Sequence, residues 1–178
     1  FRSYELPKTV CNSIIDELDN EDKKRFHFYI YQNKNLNNFL TEGSLAFVEK
    51  YRLESIYNAP EFINFISPYF TQKFDKAILK AFQNGDTQLI KSILKYQHLI
   101  NQSDTNNSFR SLDKELRNRI AEIDVIKDEI TNDNSEFCEN EFAKPLSFVI
   151  SNFPIEPLNV LPKYFQSLIN KAADRINY

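Results

Sequence analysis

KAFQNGDTQLIKSILKYQHLINQ, residues 80–102, places a short polar turn between two apolar stretches. The turn is Asn84-Gly85-Asp86, and Gly85 is one of only two glycines in the chain. A tight reversal between antiparallel helices tends to require a positive φ, which glycine adopts at the lowest cost. Asp86 can then cap the next helix, because its carboxylate accepts hydrogen bonds from the first backbone N–H groups. The stretch therefore predicts a helical hairpin with Gly85 at its turn.

The composition of the whole chain also favours helices. The 178 residues are 42% hydrophobic and 26% charged, which is typical of a folded protein. Two glycines are too few for a β-sandwich, a Rossmann fold or a P-loop domain, all of which need glycine in their turns or phosphate loops. We therefore predict an all-α protein, either one domain or a short array of helical repeats.

Charge and cysteine content exclude several classes of function. The formal net charge of −3 gives no general attraction to nucleic acid or to an anionic membrane. Cys11 and Cys138 are far apart and do not form a disulfide framework, so a reducing compartment is the default expectation. No apolar run is long enough to span a membrane. Because the chain begins with Phe1, we interpret it as a piece of a larger protein.

The first third of the chain has the spacing of helices. Residues 8–18 carry apolar side chains at helical intervals, and Asn20 is a candidate N-cap for the segment that follows. That segment enters FHFYIY, residues 26–31, whose alternation also fits a strand. Its charged approach and helical neighbours favour a buried helix.

Prolines and polar loops divide the rest. Pro60 and Pro68 are expected to separate helices within 53–70. Residues 111–130 predict an amphipathic helix with Ser111 as its N-cap, followed by a polar, acidic loop at 131–141. Two sets of apolar residues are expected to be buried: Phe62, Ile63, Phe65, Ile66, Tyr69 and Phe70 in the proline-bounded stretch, and Leu112, Leu116, Ile120, Ile123, Ile126 and Ile130 on one side of the later helix.

The two glycines lie in similar contexts, 42 residues apart. In LNNFLTEGSLAFVEKY, residues 36–51, Gly43 also follows one apolar stretch and precedes another, with Ser44 in the place of Asp86 as a possible cap. Internal similarity of this kind indicates a repeated helix–turn–helix unit.

The segment KAILKAFQNGDTQLIKSILKYQHLIN, residues 76–101, resembles an ankyrin repeat. Ala81 stands at the small packing position of the first helix, Gly85 at the turn, Leu89-Ile90 at the apolar pair of the second helix, and Asn101 at the closing loop. Lys76 and Ala77 depart from the Thr-Pro with which the family pattern opens. Weaker matches cover 34–51 and 144–170, and in the latter Phe153 replaces the glycine while Pro157 and Pro162 fall within the second helix.

The resemblance implies an α-solenoid of stacked helix pairs over 34–178, preceded by an N-terminal helical capping segment at 1–33. Each pair would bury its apolar face against its neighbours. An irregular α-bundle, in which Gly85-Asp86 is simply a C-cap followed by an N-cap, remains the alternative.

The sequence carries no recognisable catalytic or cofactor site. His27 and His98 have neither HExxH nor Cys/His spacing, so we predict no metal site and no cofactor. His27 is expected to be a satisfied histidine in the core or at its boundary, and Cys11 is expected to pack in the core. Cys138 lies among acidic residues, which disfavour the thiolate. Acidic pairs are interpreted as solvated helix faces, and we predict that the protein is not an enzyme.

The leading hypothesis is a module that binds another protein, such as a fragment of an effector. The ankyrin resemblance implies contacts through inter-repeat loops and first helices, which here contain Tyr96, Gln97, His98, Lys73 and Asp75. The alternative is a small acidic inhibitor or immunity protein that neutralises a basic toxin or nuclease. This alternative is motivated by residues 113–141, which contain ten acidic residues and four basic ones. An excess of negative charge of this kind can steer a basic partner toward the protein.

Overall fold

The computed structural model describes residues 6–50, 52, 54–132, 161–163, 165, 167, 170 and 174. Within them the secondary structure is helical and contains no strand, which confirms the all-α prediction. The α-helices are α1 (Lys8–Asp19), α2 (Glu21–Gln32), α3 (Lys34–Glu42), α4 (Ala46–Glu49), α5 (Pro60–Gln83), α6 (Thr87–Leu94) and α7 (Arg110–Asn132). Single 3₁₀ turns lie at Ser55–Asn58, Gln97–Leu99 and Thr105–Asn107.

The predicted hairpin at residues 84–86 joins α5 to α6. Gly85 has φ +67°, in the left-handed region that favours glycine. The Gly85 N–H donates to the Phe82 carbonyl, and the Asp86 N–H donates to the Ala81 carbonyl at 2.9 Å. The Asp86 carboxylate accepts a hydrogen bond from the Leu89 N–H at 2.9 Å. Both roles predicted for Gly85 and Asp86 are therefore confirmed.

The second glycine ends a helix in the same way, but Ser44 is not a cap. Gly43 has φ +76° and terminates α3. The next helix begins at Ala46 after Leu45, without a side-chain cap. Ser44 precedes that position, and its N–H donates instead to the Asn38 carbonyl at 3.3 Å.

The Asn20 prediction is confirmed, and residues 26–31 are helical as predicted, but their predicted burial is wrong, because α2 has no buried residue and Phe28 is 59% exposed. The Asn20 side chain accepts a hydrogen bond from the Lys23 N–H at 3.0 Å. Glu21 and Asp22 occupy the first turn of α2, where negative charge complements the helix dipole. Residues 26–31 all lie within α2.

The prediction that Pro68 separates two helices is wrong. Pro60 begins α5, as expected of a proline in the first turn, but Pro68 lies inside this single helix of 24 residues. An interior proline costs about 3 kcal/mol. Its neighbours offset that cost: Ile66 and Phe70 are fully buried on either side of it, while Pro68 itself faces solvent. Tyr69 is also a correction, because it is 56% exposed.

The core surrounds α5. This helix contacts α2, α3, α6, α7 and all three 3₁₀ turns. It buries Phe62, Ile66, Phe70, Phe74, Ile78, Ala81 and Phe82 against side chains of the surrounding elements, among them Leu36, Phe39, Phe47, Tyr57, Ile90, Ile93, Tyr96, Leu161 and Phe165. The stacking of helix pairs implied by the ankyrin resemblance is not confirmed by this arrangement.

The start of α7 is capped from another helix. The helix begins at Arg110, so Ser111 lies in its first turn and is not the N-cap. Asp75 of α5 accepts hydrogen bonds from the Ser111 N–H at 2.8 Å and from the Ser111 hydroxyl at 2.6 Å. The expected burial of Leu112, Leu116 and Ile120 is confirmed.

Some predictions fall on residues that are not described. They include the side chains of Ile123, Ile126 and Ile130, Cys138, residues 133–141 of the acidic loop, and most of the repeat-like stretch at 144–170. The boundary between 1–33 and 34–178 stays a prediction. Of the helices that the structure delimits, none combines the length and the apolar character needed to cross a bilayer.

Candidate functional site

The most unusual surface of the molecule is the apolar face of α1. Val10, Ile14, Ile15 and Leu18 are 41–55% exposed, and no residue of α1 is buried. At 100° per residue these four side chains span an arc of about 140°, which is the width of an ordinary core-facing helix stripe. Leu6, 53% exposed, continues the stripe beyond the start of the helix. We call Leu6, Val10, Ile14, Ile15 and Leu18 the α1 apolar face.

This face is left open because α1 packs only at its edge. Its main contact is with α2. Glu17 anchors that contact: its carboxylate lies 3.7 Å from the Lys23 ammonium and 3.3 Å from His27 Nε2. The His27 ring in turn packs edge-on against Phe65 of α5 at 5.0 Å, but 43% of the His27 side chain is exposed, so His27 is not a core residue and meets the core only through this ring contact. Cys11 is only partly buried, and the expectation that it packs in the core is wrong.

The C-terminal end of the α1 apolar face is acidic. The last turn of α1 contains no basic residue, although a helix C-terminus favours positive charge. Asp16 and Asp19 are exposed there, and within the described part of the chain neither has an ion-pair partner. The two carboxylates repel each other and the negative end of the helix dipole. A cation placed beside this turn would therefore be attracted by all three.

The five contact residues predicted from the sequence are not brought together. Tyr96 is 1% exposed and belongs to the core, so it presents no side chain to a partner. Gln97 is half-buried beside the start of α7, and His98 is exposed, with its Nδ1 2.9 Å from the Lys95 carbonyl oxygen. Partner binding by Gln97 and His98 stays a prediction.

Lys73 and Asp75 already have intramolecular roles. The Lys73 ammonium donates a 2.7 Å hydrogen bond to the Thr41 carbonyl, which ties α5 to the end of α3. Asp75 accepts the two hydrogen bonds from Ser111 described above. These contacts account for both side chains within the fold, and a role for them in partner binding also stays a prediction.

A second feature is a polar cleft of about 500 Å³ that Tyr96 helps to line. We call it the tyrosine cleft. The Tyr29 hydroxyl donates to the Glu54 carboxylate at 2.5 Å, and the Asn33 amide donates to the Tyr57 hydroxyl at 3.3 Å. Tyr96 accepts a hydrogen bond from the Arg52 N–H at 3.1 Å and donates to the Phe47 carbonyl at 3.3 Å. The floor of the cleft is thus held by hydrogen bonds between separate chain segments.

Two phenols in this floor are held neutral. Burial raises the pKa of Tyr29, and its hydrogen bond to Glu54 raises it further. Burial is also the main cause that raises the pKa of Tyr57 far above the ordinary value near 10, with a contribution from the neighbouring Tyr29. Both tyrosines therefore act as hydrogen-bonding groups, not as bases, at any physiological pH.

The acidic segment that motivated the inhibitor hypothesis is partly neutralised within α7. Asp113 pairs with Arg117 at 2.8 Å, and Glu115 pairs with Arg119 at 2.8 Å. Among the residues described, no group of three or more His, Cys, Asp or Glu side chains is placed to hold a metal ion.

Comparison with protein-family models, with curated proteins and with solved structures found no match for this chain.

Proposed function

We propose that this protein is a non-enzymatic interaction module, and that its α1 apolar face binds an amphipathic helix with basic residues in a partner protein. The single observation that carries the proposal is the exposure, between 41% and 55%, of five large aliphatic side chains on one helix face. Contiguous exposed apolar patches in folded proteins commonly mark interaction sites.

The shape of the α1 apolar face indicates which kind of partner it can bind. Val10, Ile14 and Leu18 follow one another at intervals of four residues and extend about 12 Å along a straight helix. A ridge of this kind complements the stripe of a second amphipathic helix, whose anchors recur at i, i+3 or i+4, and i+7.

The negative charge at the C-terminal end of the α1 apolar face favours a partner with basic residues. Asp16 and Asp19 lie in the last turn of α1, where lysine or arginine of a partner would meet two carboxylates and the negative end of the helix dipole. A second copy of this chain fits less well, because Lys8 is the only basic residue that its own α1 would contribute. Electrostatic complementarity would mainly raise the association rate and the specificity.

For the fold behind this function we propose the irregular α-bundle. The contacts of α5 with helices on either side of it in the chain support this alternative over a row of stacked ankyrin-like pairs. The inhibitor hypothesis loses support from the pairing of Asp113 and Glu115 within α7, and it stays a secondary prediction.

A displayed library of helical peptides provides the test. Selection on the natural chain, with counter-selection on the Ile14→Asp variant, is expected to enrich amphipathic sequences with apolar residues at helical spacing and several lysines or arginines. Their binding should weaken as the salt concentration rises from 0.1 to 1 M, since screening shortens the range of the acidic field.

The matched control is Val125→Asp. Val125 is 56% exposed on α7, compared with 43% for Ile14, so this variant introduces the same charge at an exposed apolar site outside α1. Selected peptides should bind Val125→Asp like the natural chain. Failure to enrich any sequence, or equal binding to Ile14→Asp, would contradict the proposal, and so would concentration-dependent dimerisation that Ile14→Asp abolishes.

A further inference from the structure

The rim of the tyrosine cleft concentrates positive charge. Lys34, Lys50 and Arg52 line the cleft, and Glu54 is the only acidic residue among its described lining residues. The lining therefore carries a formal charge of +2, in a chain whose net charge is −3. The cleft is locally opposite in sign to the molecule as a whole, so it attracts anions that the rest of the surface repels.

The three cations are available to a ligand. All of them are exposed, and in the described part of the chain none lies within ion-pair distance of a carboxylate. Glu54 keeps its negative charge but, among the described residues, forms no ion pair with any of the three cations, and its carboxylate accepts a hydrogen bond from the Tyr29 hydroxyl. The cations come from two segments, with Lys34 at the start of α3 and the other two between α4 and the first 3₁₀ turn.

The start of α3 adds backbone donors to the same lining. Lys34 and Asn35 form the first two positions of this helix, and both line the cleft. The Asn33 side chain caps the Leu36 N–H at 3.1 Å, and the Asn37 N–H donates to the Asn33 carbonyl. The N–H groups of Lys34 and Asn35 precede these bonds and, among the described residues, have no acceptor of their own. Such N–H groups stabilise phosphate and carboxylate oxygens.

The floor holds this arrangement in place. Asn33 both caps α3 and donates to Tyr57, so the start of α3 is fixed to the 3₁₀ turn Ser55–Asn58. The hydrogen bond from the Arg52 N–H to Tyr96 fixes the other cationic segment to the end of α6. Lys34 and Arg52 therefore project from backbone that these hydrogen bonds hold in position, which lowers the entropy lost on binding.

We propose that the tyrosine cleft binds the phosphate group of a small phosphate monoester. Three cations and a helix N-terminus suit a dianionic phosphate better than a monoanionic carboxylate, and arginine matches phosphate oxygens in a bidentate geometry. The cleft volume of about 500 Å³ lies within the range of small-molecule sites and leaves room for the group that carries the phosphate. The ring of Phe47 and the phenols of Tyr57 and Tyr96, all almost fully buried, form the floor of the remaining space. This site shares no residue with the α1 apolar face, so either proposal can fail without the other.

The test is a titration of the ¹⁵N-labelled full chain with phenyl phosphate at constant ionic strength, followed by NMR. The amide signals of Lys34 and Asn35 are expected to shift in a saturable way. Arg52→Gln and Lys34→Gln should each weaken binding about tenfold, the effect of losing roughly one charge-assisted hydrogen bond. Lys91→Gln, at an exposed lysine on α6, is the control and should bind phenyl phosphate like the natural chain.

Inorganic phosphate forms the second arm of the titration. Because it lacks the organic group, it should bind at the same amides but more weakly than phenyl phosphate. Absence of saturable shifts with phenyl phosphate, or equal binding by Arg52→Gln and the natural chain, would overturn the proposal. Tighter binding of inorganic phosphate than of phenyl phosphate would overturn it as well, since the site would then be one for the free ion.

Discussion

Helices α1 and α5 both carry large apolar side chains at helical spacing, yet the fold uses them in opposite ways. The 24 residues of α5 bury ten side chains, whereas the 12 residues of α1 bury none. The difference comes from their neighbours: α5 is contacted by helices from both sides of it in the chain, and α1 packs mainly against α2. Apolar periodicity therefore identifies the side chains that share a face, and the surrounding elements decide whether that face belongs to the core or to a binding surface.

The largest expected effect separates a buried phenylalanine from an exposed one. Phe70 of α5 is fully buried, and Phe28 of α2 is 59% exposed. Phe70→Ala should lower the free energy of unfolding by about 3–5 kcal/mol through lost burial and a residual cavity. Phe28→Ala should change it by less than about 0.5 kcal/mol. Urea unfolding of both variants measures the difference, and similar losses would show that the division between core and open surface is misplaced.

The turn that holds α6 against α5 gives the next effect. Gly85 has φ +67°, and a Cβ added there would meet no atom within 4 Å, so a substitution is costly through backbone conformation alone. Gly85→Ala should lower the free energy of unfolding by about 1–2 kcal/mol. Gly85→Asn should cost less, because asparagine adopts the left-handed region more readily. Equal stability of the natural chain and Gly85→Ala in thermal unfolding would refute the assigned turn.

The burial of Tyr57 can be tested by measuring stability at alkaline pH. Its pKa is raised in the folded state, so the neutral phenol contributes full stability below pH 10, and this contribution is lost as the pH rises through the higher folded pKa. At pH 11 ionisation of Tyr57 in the unfolded chain lowers the free energy of unfolding by roughly 1 kcal/mol. Tyr57→Phe should therefore lose less stability between pH 9 and 11 than the natural chain.

Tyr31 supplies the control for that measurement. It is 74% exposed on α2, and Tyr31→Phe should leave the alkaline loss of stability unchanged. If Tyr57→Phe and Tyr31→Phe had identical pH profiles in urea unfolding, the hydrogen-bonded floor of the tyrosine cleft would not be as buried as described.

The smallest effect is a gain in stability. The Thr71 hydroxyl is buried on α5, and no hydrogen-bond partner lies within its reach among the described residues. A buried hydroxyl without a partner is destabilising, so Thr71→Val should raise the free energy of unfolding by about 1 kcal/mol. A loss of similar size in calorimetric unfolding would mean that the hydroxyl has a partner after all.

The parts of the fold that local chemistry controls were predictable from the sequence. Gly85, Asp86 and Asn20 act through backbone conformation and hydrogen bonds to residues within five positions, and their predicted roles are confirmed. The roles of Pro68 and Ser111 were predicted wrongly because contacts with residues distant in the chain outweigh the local preference. The side chains beside Pro68 are buried in the core, and the carboxylate of Asp75 accepts the hydrogen bond of Ser111.

The candidate sites were less accessible to sequence reasoning. The spacing of Val10, Ile14 and Leu18 predicted a helix with an apolar stripe. The same spacing could not show that no other element packs over this stripe and that it stays exposed. The tyrosine cleft assembles residues from α2, α3, the first 3₁₀ turn and the end of α6, and no motif connects these segments. Tyr96 was expected to contact a partner because loop position does not indicate that a side chain points into the core.

The comparison is tested most directly by the affinity of a selected basic amphipathic peptide for two variants of equal charge. We predict that Ile14→Asp weakens binding by at least about tenfold, while Val125→Asp leaves the dissociation constant unchanged and both variants unfold at the urea concentration of the natural chain. Equal affinity of the peptide for Ile14→Asp and Val125→Asp would contradict the account, because the open face of α1 would then not be a binding surface.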